Sequence, residues 1–460
     1  MNTKIKFLSA ILLLSGIIFL SGCGLKDTPA KRYPVSLEVW GLFDDSDAFN
    51  NIFDKYQKAN SNIRLTYKKL TPDTYKNEVI SALASGQGPD IFLIQNTWLP
   101  SFQDKILPAT ADILTEQKFR ADFVDVVAAD FVEQGKIYAA PLTVDSLGLY
   151  YNKDLFNQAG ITTPPVTWND FVEDVKKITR IDSTGNIVRS GAAIGTAYNI
   201  NRSTDILNML LLQNNTSMIN DRQTQALFDQ GSARDNNGNS VTPGVTALSF
   251  YTQFARANSA YYSWNPSLHY STDAFSEGTV GMMFNYSWQA DTIRAKAPKL
   301  NFAVAPVPQL TPTAPINFPN YWGFAVAKNK IAPALPAGSK QVVVSEEVRV
   351  AEAWNFVKFL TTKPEMVAGQ TIASFDAAAD YAKATNKPAA RRDLIEVQKT
   401  DVNIGAFAQG NLIAKSWKQI DPIAIEAIFA GMIDGVNRGA VTTEEAIKAA
   451  ATQVTGLMNR

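Results

Sequence analysis

Two residue types that carry much of protein chemistry are nearly missing from this 460-residue chain, which has one cysteine and one histidine. A lone cysteine excludes a disulfide scaffold and any multi-cysteine metal site. A lone histidine excludes a histidine-rich zinc site and argues against His-dependent acid–base catalysis. Charge is sparse too: 19% of residues are Asp, Glu, Lys or Arg, below the usual share of about a quarter. Neither sign is in excess, with 43 Lys and Arg against 43 Asp and Glu. A nucleic-acid binder needs a basic surplus to neutralise phosphates, so that class is excluded. Apolar residues, by contrast, make up 46% of the chain, which places it among globular proteins and excludes wholesale disorder. The length suits two lobes better than one core.

Residues 1–22 do not read as part of the fold. Lys4 and Lys6 precede an apolar run from Phe7 to Leu20, short for a membrane span and patterned as a secretory signal. The run ends in Leu20-Ser21-Gly22-Cys23. This resembles the bacterial lipobox, in which cleavage before Cys leaves the thiol carrying a diacylglycerol. The alternative is a plain signal peptide with an incidental Cys. Removing the segment leaves 41 basic and 43 acidic residues, and residues 24–34 read as a polar tether. The expected location is the cell surface or the periplasmic side of the cytoplasmic membrane, lipid-anchored.

The mature chain opens with alternating strand and helix signals. Residues 35–40 have period two, and Phe49, Ile52, Phe53 and Tyr56 recur at helical spacing after Ser46 and Asp47, either of which could cap. A second strand is expected from 63 to 67, and a second helix carries Tyr75, Val79 and Leu83, with Gly86 as its stop. A third, continuously apolar strand spans 91–94. This βαβαβ order predicts a parallel sheet with right-handed crossovers, and ligands bind beyond the carboxyl ends of such strands. The segments 41–47 and 95–98 therefore matter most.

A second unit starts near residue 148. Thr167-Trp168-Asn169-Asp170 reads as a capping box, Asp182-Ser183-Thr184-Gly185-Asn186 as a hairpin turn, and 230–243 as a surface loop. Within that loop Asp235-Asn236-Asn237-Gly238-Asn239 lacks the glycine phase and the glutamate of a calcium loop. Pro and Ala crowd 305–338, which reads as a region of crossings rather than core elements. The last third is helical, and Thr442-Thr443-Glu444-Glu445 caps a final helix with Ile447, Ala450, Val454 and Leu457 on one face.

Four blocks carry a more specific signal. They are Ala84-Ser85-Gly86-Gln87-Gly88-Pro89-Asp90-Ile91; Tyr138-Ala139-Ala140-Pro141 with 149–156, Ala159-Gly160, Pro164-Pro165 and Thr167-Trp168; 274–283 with Trp288 and 304–308; and the tail 427–457. Together, and in this order, they resemble the extracellular solute-binding proteins of ABC importers, in the sugar-binding group. The strongest is Leu149-Tyr150-Tyr151-Asn152-Lys153-Asp154-Leu155-Phe156. The resemblance implies two α/β lobes of the periplasmic-binding-protein fold joined by a hinge of crossing segments. It places 35–143 plus 306–362 in the first lobe and 148–304 plus 365–460 in the second.

A neutral sugar shows hydroxyls in its plane and C–H bonds on its faces, so its site combines aromatic platforms with charged or amide groups in a cleft. The resemblance points to Asp145, where the family carries a Glu that contacts hydroxyls, and to Trp288, where it stacks a ring. It also points to Trp98 with Asn96 after the third strand, Asp44 and Asp45 after the first, Tyr198 in the second lobe, and Trp322. The family's last stacking Trp falls near Glu426, where this chain has no aromatic; that departure counts against a malto-oligosaccharide ligand. Trp168 opens a helix and Trp354 and Phe359 lie on an apolar helical face, so all three read as structural, while His269 reads as a surface or packing residue.

Two classes of function are left. The first is a substrate-binding lipoprotein, monomeric and without catalysis, metal or cofactor. It would close around a small solute by hinge motion, hand it to permease subunits, and touch the bilayer through Cys23. Its solute is expected to be a saccharide, with a polyamine, an organophosphate or an oxidised peptide fragment as alternatives. The second is a secreted glycoside-active enzyme using paired carboxylates such as Asp44, Asp45 and Asp145, for which no hydrolase motif is recognisable.

Overall fold

In a computed structural model of the chain, residues 33–234, 240–331, 343–365 and 375–459 are described. Cys23, the segment before it, most of the tether and the Asp235–Asn239 turn lie outside them. No helix among the described residues is long and apolar enough to cross a membrane.

The opening βαβαβ unit folds as its periodicity dictates. Strand Val35–Gly41 pairs in parallel with both Ile63–Lys69 and Ile91–Gln95. Helix Asp47–Ala59 buries Phe49, Ile52, Phe53 and Tyr56, the stripe that a 3.6-residue repeat turns toward the sheet. Ser46 occupies the cap position but its side chain makes no capping bond. Gly86 follows helix Pro72–Ala84 at φ +69°, where any other residue is strained.

The region 305–338 departs from expectation. Trp322–Ala327 is an inner strand of the first sheet, antiparallel to Ile91–Gln95 on one side and bridged to Ile106–Leu107 on the other. It carries the buried run Phe324, Ala325, Val326 and Ala327, and central burial on both faces reads in sequence as an apolar run without alternation.

The second sheet runs in the order Phe302–Ala305, Gly148–Asn152, Val280–Asn285, Ile187–Ala193, Arg180–Ile181. Val280–Asn285 and Ile187–Ala193 are parallel, and the other pairs are antiparallel. Thr167 and Asp170 form both bonds of a capping box, as do Thr442 and Glu445. Asp182 Oδ1 accepts from the Thr184 and Asn186 amides and shapes the hairpin turn. Six helices of six or more residues fill the described part of the last third, from Glu346–Thr361 to Thr443–Met458.

Two hydrophobic clusters divide the chain. The first ends at Val144 and the second begins at Leu147; the chain returns between Phe318 and Tyr321 and crosses again between Ile395 and Trp417, a stretch in which Phe407 packs in the second cluster and Ala408 and Ala414 in the first. This packing differs from the expected boundaries in two places. Val307 and Phe318 pack in the second cluster, whereas Ala377, Tyr381, Ala389, Ala390 and Ile395 pack in the first. The reason is contact made far along the chain: Phe49 stacks on Tyr381 at 5.5 Å, holding the 377–385 helix against the first helix.

The three crossings are knitted together. Ser146 Oγ donates to the Phe407 carbonyl at 3.2 Å, Asn317 Nδ2 to Leu147 O at 2.7 Å, and Asn411 Nδ2 to Val144 O at 2.5 Å. Gly410 lies where a Cβ would collide with Ser146 and Asn317, so the close approach of all three requires glycine there.

Candidate functional site

The carboxyl ends of the first sheet's parallel strands lead into a small aromatic and charged recess. Phe43, just past strand Val35–Gly41, adopts φ +56° and is 52% exposed. A non-glycine residue in that conformation needs surrounding contacts to hold it, and its ring meets Trp322 edge-on at 5.9 Å. Asp44 accepts from Tyr381 Oη at 2.6 Å and from Lys387 Nζ at 2.5 Å. Tyr67 donates its hydroxyl to the Asp44 carbonyl at 2.8 Å, crossing over Gly41, where a side chain would collide with the ring. Burial, with Asp44 and Asp45 nearby, raises the Tyr67 phenol well above its usual range. These groups line a cavity of about 60 Å³, room for a couple of waters.

The second side is built where strand Val280–Asn285 ends. Asp145, on the first crossing, accepts from the Ser287 amide at 2.9 Å and the Ser287 hydroxyl at 2.8 Å. Burial pushes the Asp145 carboxyl up to about 7, opposed by the Ser287 bonds and by the charge of Lys387. Lys387, which donates to Asp44 at 2.5 Å, also lowers the Asp145 carboxyl by its charge. Trp288 follows and is 45% exposed. The Arg202 guanidinium lies 5.7 Å from its ring centre and 5.6 Å from that of Tyr286, a cation–π geometry. Arg202 itself is held at φ +65° at the start of helix Ser203–Gln213. Tyr286 donates to Asp205 Oδ2 at 2.9 Å, and burial raises the Asp205 carboxyl. Glu426, on helix Pro422–Asn437, is raised by burial and then by Asp205, with Arg202 pulling the other way.

The residues singled out from sequence therefore separate. Asp44 and Trp322 line the first recess, and Asp145 and Trp288 lie beside each other through Ser287 beyond strand Val280–Asn285. Asp45 turns away into an exposed ion pair with Lys69 at 3.0 Å. Trp98 is 6% exposed, stacked on Phe102 at 5.3 Å and edge-on to Trp322 at 4.9 Å, so it is a packing residue that backs Trp322. Asn96 is buried and donates to Asp130 at 3.1 Å. That fully buried carboxylate also takes the Tyr321 hydroxyl at 2.7 Å and the Ser416 hydroxyl, and desolvation pushes it up to about 6. Asn96 and Trp98 follow an inner strand, so the turn after it is covered by Tyr321 and Trp322 rather than opened to solvent. Tyr198 is 68% exposed, and among the described residues no ring pairs with it. Trp168 and Trp354 are buried, as expected, and Phe359 packs on the first core; His269 is a surface residue paired with Glu277.

Sequence reasoning missed Phe43, Tyr67, Tyr381, Lys387, Ser287, Arg202 and Asp205. Phe43 was within reach, since it lies in the post-strand segment 41–47. Lys387 was not: it meets Asp44 across 343 positions of chain.

A family model for bacterial extracellular solute-binding proteins matches residues 40–367. Among curated proteins, a putative binding protein of Brucella abortus is 24% identical over 264 residues, 56% of this chain and 59% of that protein. The maltotriose-binding protein of Pyrococcus abyssi is 20% identical over 327 residues, 70% of this chain and 61% of its own. The matched stretches thus span about three-fifths of these relatives' lengths. Among solved structures, the cyclic α-maltosyl-1,6-maltose binding protein of Arthrobacter globiformis superposes with a TM-score of 0.71 at 20% identity, covering 92% of this chain and 99% of that one. The sugar-binding protein MalE of Xanthomonas citri gives 0.70 at 15% identity, over 92% and 98%. At such identities the likeness establishes the two-domain α/β fold.

Proposed function

The chain belongs to the bacterial extracellular solute-binding proteins, and from that premise we propose that it is the substrate-binding component of an ABC importer, taking up a saccharide. The observation that carries this reading is Trp288: a large ring, 45% exposed beside the Asp145–Ser287 pair, at the junction of two cores. A ring face next to charge-assisted acceptors suits a molecule that is apolar on its faces and hydroxylated at its edges. The names of the similar proteins support the same class, since they are maltotriose-, raffinose- and maltodextrin-binding proteins.

The enzyme alternative loses its reagents. Asp44 is engaged by Lys387 and Tyr381, Asp145 by Ser287, and Asp45 faces solvent. A glycosidase needs two carboxyl groups flanking one bond, one to give a proton and the other to act as base or nucleophile. Three knitted crossings between two cores support a hinge, and closure by population shift is the corresponding motion. Delivery to a permease and an anchor through Cys23 complete the proposal.

A melting screen over a saccharide panel is the direct test, because a ligand that binds the folded state raises its stability by mass action. A reproducible upward shift with one saccharide class is expected; a panel without any shift would sink the saccharide reading. For the anchor, Cys23→Ser should move the protein from the membrane to the soluble fraction, since two acyl chains hold stably. Unchanged membrane retention would count against it.

A further inference from the structure

A second cavity lies at the far end of the second sheet. It encloses about 240 Å³, against about 60 Å³ for the first recess, and sits at the amino ends of the parallel strands Ile187–Ala193 and Val280–Asn285. Trp288 follows the other end of Val280–Asn285. At about 3.3 Å per residue, a strand of that length separates its two ends by roughly 17 Å. Ile187, Trp264, Leu268 and Val280 make much of the lining apolar, while His269 and Glu277, paired at 3.0 Å and both exposed, stand at its edge. The wall is held by specific bonds. Asn199 Nδ2 donates to the carbonyls of Asn265 and Leu268 at 2.9 and 3.1 Å, and Trp264 Nε1 donates to Asn199 Oδ1 at 3.2 Å. Ser263 Oγ donates to Ala192 O at 3.1 Å and keeps this turn on the sheet.

One group in the lining is unsatisfied. Ser190 is 2% exposed, and its Oγ has no hydrogen-bond partner among the described residues. Strand alternation turns it to the face opposite Gly191, whose Cβ would meet the Val175 backbone of helix Trp168–Ile178. The hydroxyl therefore lies on the side of the sheet away from that helix, against the cavity that Ser190 lines. A buried hydroxyl without a partner costs free energy, and native structures keep few of them.

We propose that this cavity is a second binding site, which takes a compact neutral molecule with an apolar ring and one hydroxyl, the hydroxyl pairing with Ser190. The proposal does not rest on the saccharide reading. Room is sufficient, since an apolar cavity of about 150 Å³ already admits benzene. A sugar or other polyol would bury further hydroxyls against Ile187, Leu268 and Val280, which cannot pair them. An ion finds no free charge beside Ser190. Glu277 is engaged by His269, and Arg189, the neighbour of Ser190 in the strand, projects to the opposite face by the same alternation.

Saturation-transfer NMR titration of the mature protein with phenol, toluene, benzoate and glucose is the test. Phenol should bind at least about fivefold tighter than toluene or benzoate, the worth of one hydrogen bond, and glucose should not displace it. Ser190→Ala should bring phenol down to the level of toluene while leaving toluene's affinity, saccharide binding and the melting temperature unchanged, because the substitution removes only an unpaired hydroxyl. Trp288→Ala should leave phenol binding intact, which separates this cavity from the exposed ring of the first site. No binding of phenol, equal binding of toluene, tighter binding of benzoate, or displacement by glucose would overturn the inference. So would insensitivity to Ser190→Ala or loss of phenol binding in Trp288→Ala, and each of these results leaves the saccharide reading standing.

Discussion

Trp98 and Trp288 are the same residue in opposite circumstances, and replacing each by alanine should give opposite phenotypes. Trp288 keeps 45% of its surface exposed. A tryptophan side chain offers roughly 150–250 Å², so about 70–110 Å² is left for a ligand to cover. At ~25 cal/mol per Å² that coverage is worth about 2–3 kcal/mol, a loss of about 30- to 100-fold in affinity for Trp288→Ala. Trp98 is 6% exposed and packed between Phe102 and Trp322. Trp98→Ala opens a cavity in that stack and should cost about 3–5 kcal/mol of stability. At roughly 2–4 °C per kcal/mol for a unit of lobe size, its Tm should fall by about 6–20 °C. The assay is a pair of measurements on both variants, thermal unfolding and calorimetric titration with the saccharide that the melting screen identifies. Trp288→Ala should lose affinity with the smaller drop in Tm, and Trp98→Ala the reverse. If Trp288→Ala binds like wild type, or unfolds as readily as Trp98→Ala, the ring is structural and the site lies elsewhere.

Further predictions concern charge, close packing and motion. Asp145, pushed up to about 7 by burial, holds its proton in the folded state over a range where the unfolded chain, with a carboxyl near ~3.9, has lost it. Its contribution to stability is therefore full below about pH 4 and declines as pH rises toward 7; Asp145→Asn, which still accepts the Ser287 amide, should flatten that decline in denaturant titrations. Part of the slope should survive through Asp130, shifted in the same direction, and an unaltered slope would show that Asp145 is not the group responsible. Arg391, 1% exposed and forked onto Asp376 and Asp393 at 2.7 and 2.8 Å, should lose about 1–3 kcal/mol on replacement by methionine, because Asp376 loses its cation while Asp393 keeps only Lys363 at 3.9 Å; a loss below about 1 kcal/mol in chemical denaturation would contradict this. Gly410→Ala forces a methyl between Ser146 and Asn317 and should destabilise by about 1–3 kcal/mol. Saturating ligand should reduce the radius of gyration measured by small-angle scattering, and an unchanged radius with a confirmed ligand would argue for a rigid site.

Much of the framework was legible in the chain alone. The stripe Phe49, Ile52, Phe53 and Tyr56, the capping boxes at Thr167 and Thr442, and the glycine stop at Gly86 each depend on residues within about four positions of one another, and each stands in the structure as read. The parallel pairing of the first three strands followed from their alternation with helices. What sequence could not supply was decided by partners distant along the chain. Phe49 against Tyr381 draws the 377–395 region onto the first core, and the last crossing accordingly lies between Ile395 and Trp417 instead of near 363. Of four candidate residues after the first and third strands, only Asp44 lines the aromatic recess; Asp45 pairs with Lys69, while Asn96 and Trp98 are covered by Tyr321 and Trp322. Periodicity and capping are properties of a few consecutive dihedrals, so a local stretch encodes them. Exposure and charge pairing belong to the space around a side chain, and only tertiary packing brings Lys387 to Asp44 or leaves one tryptophan open while closing another.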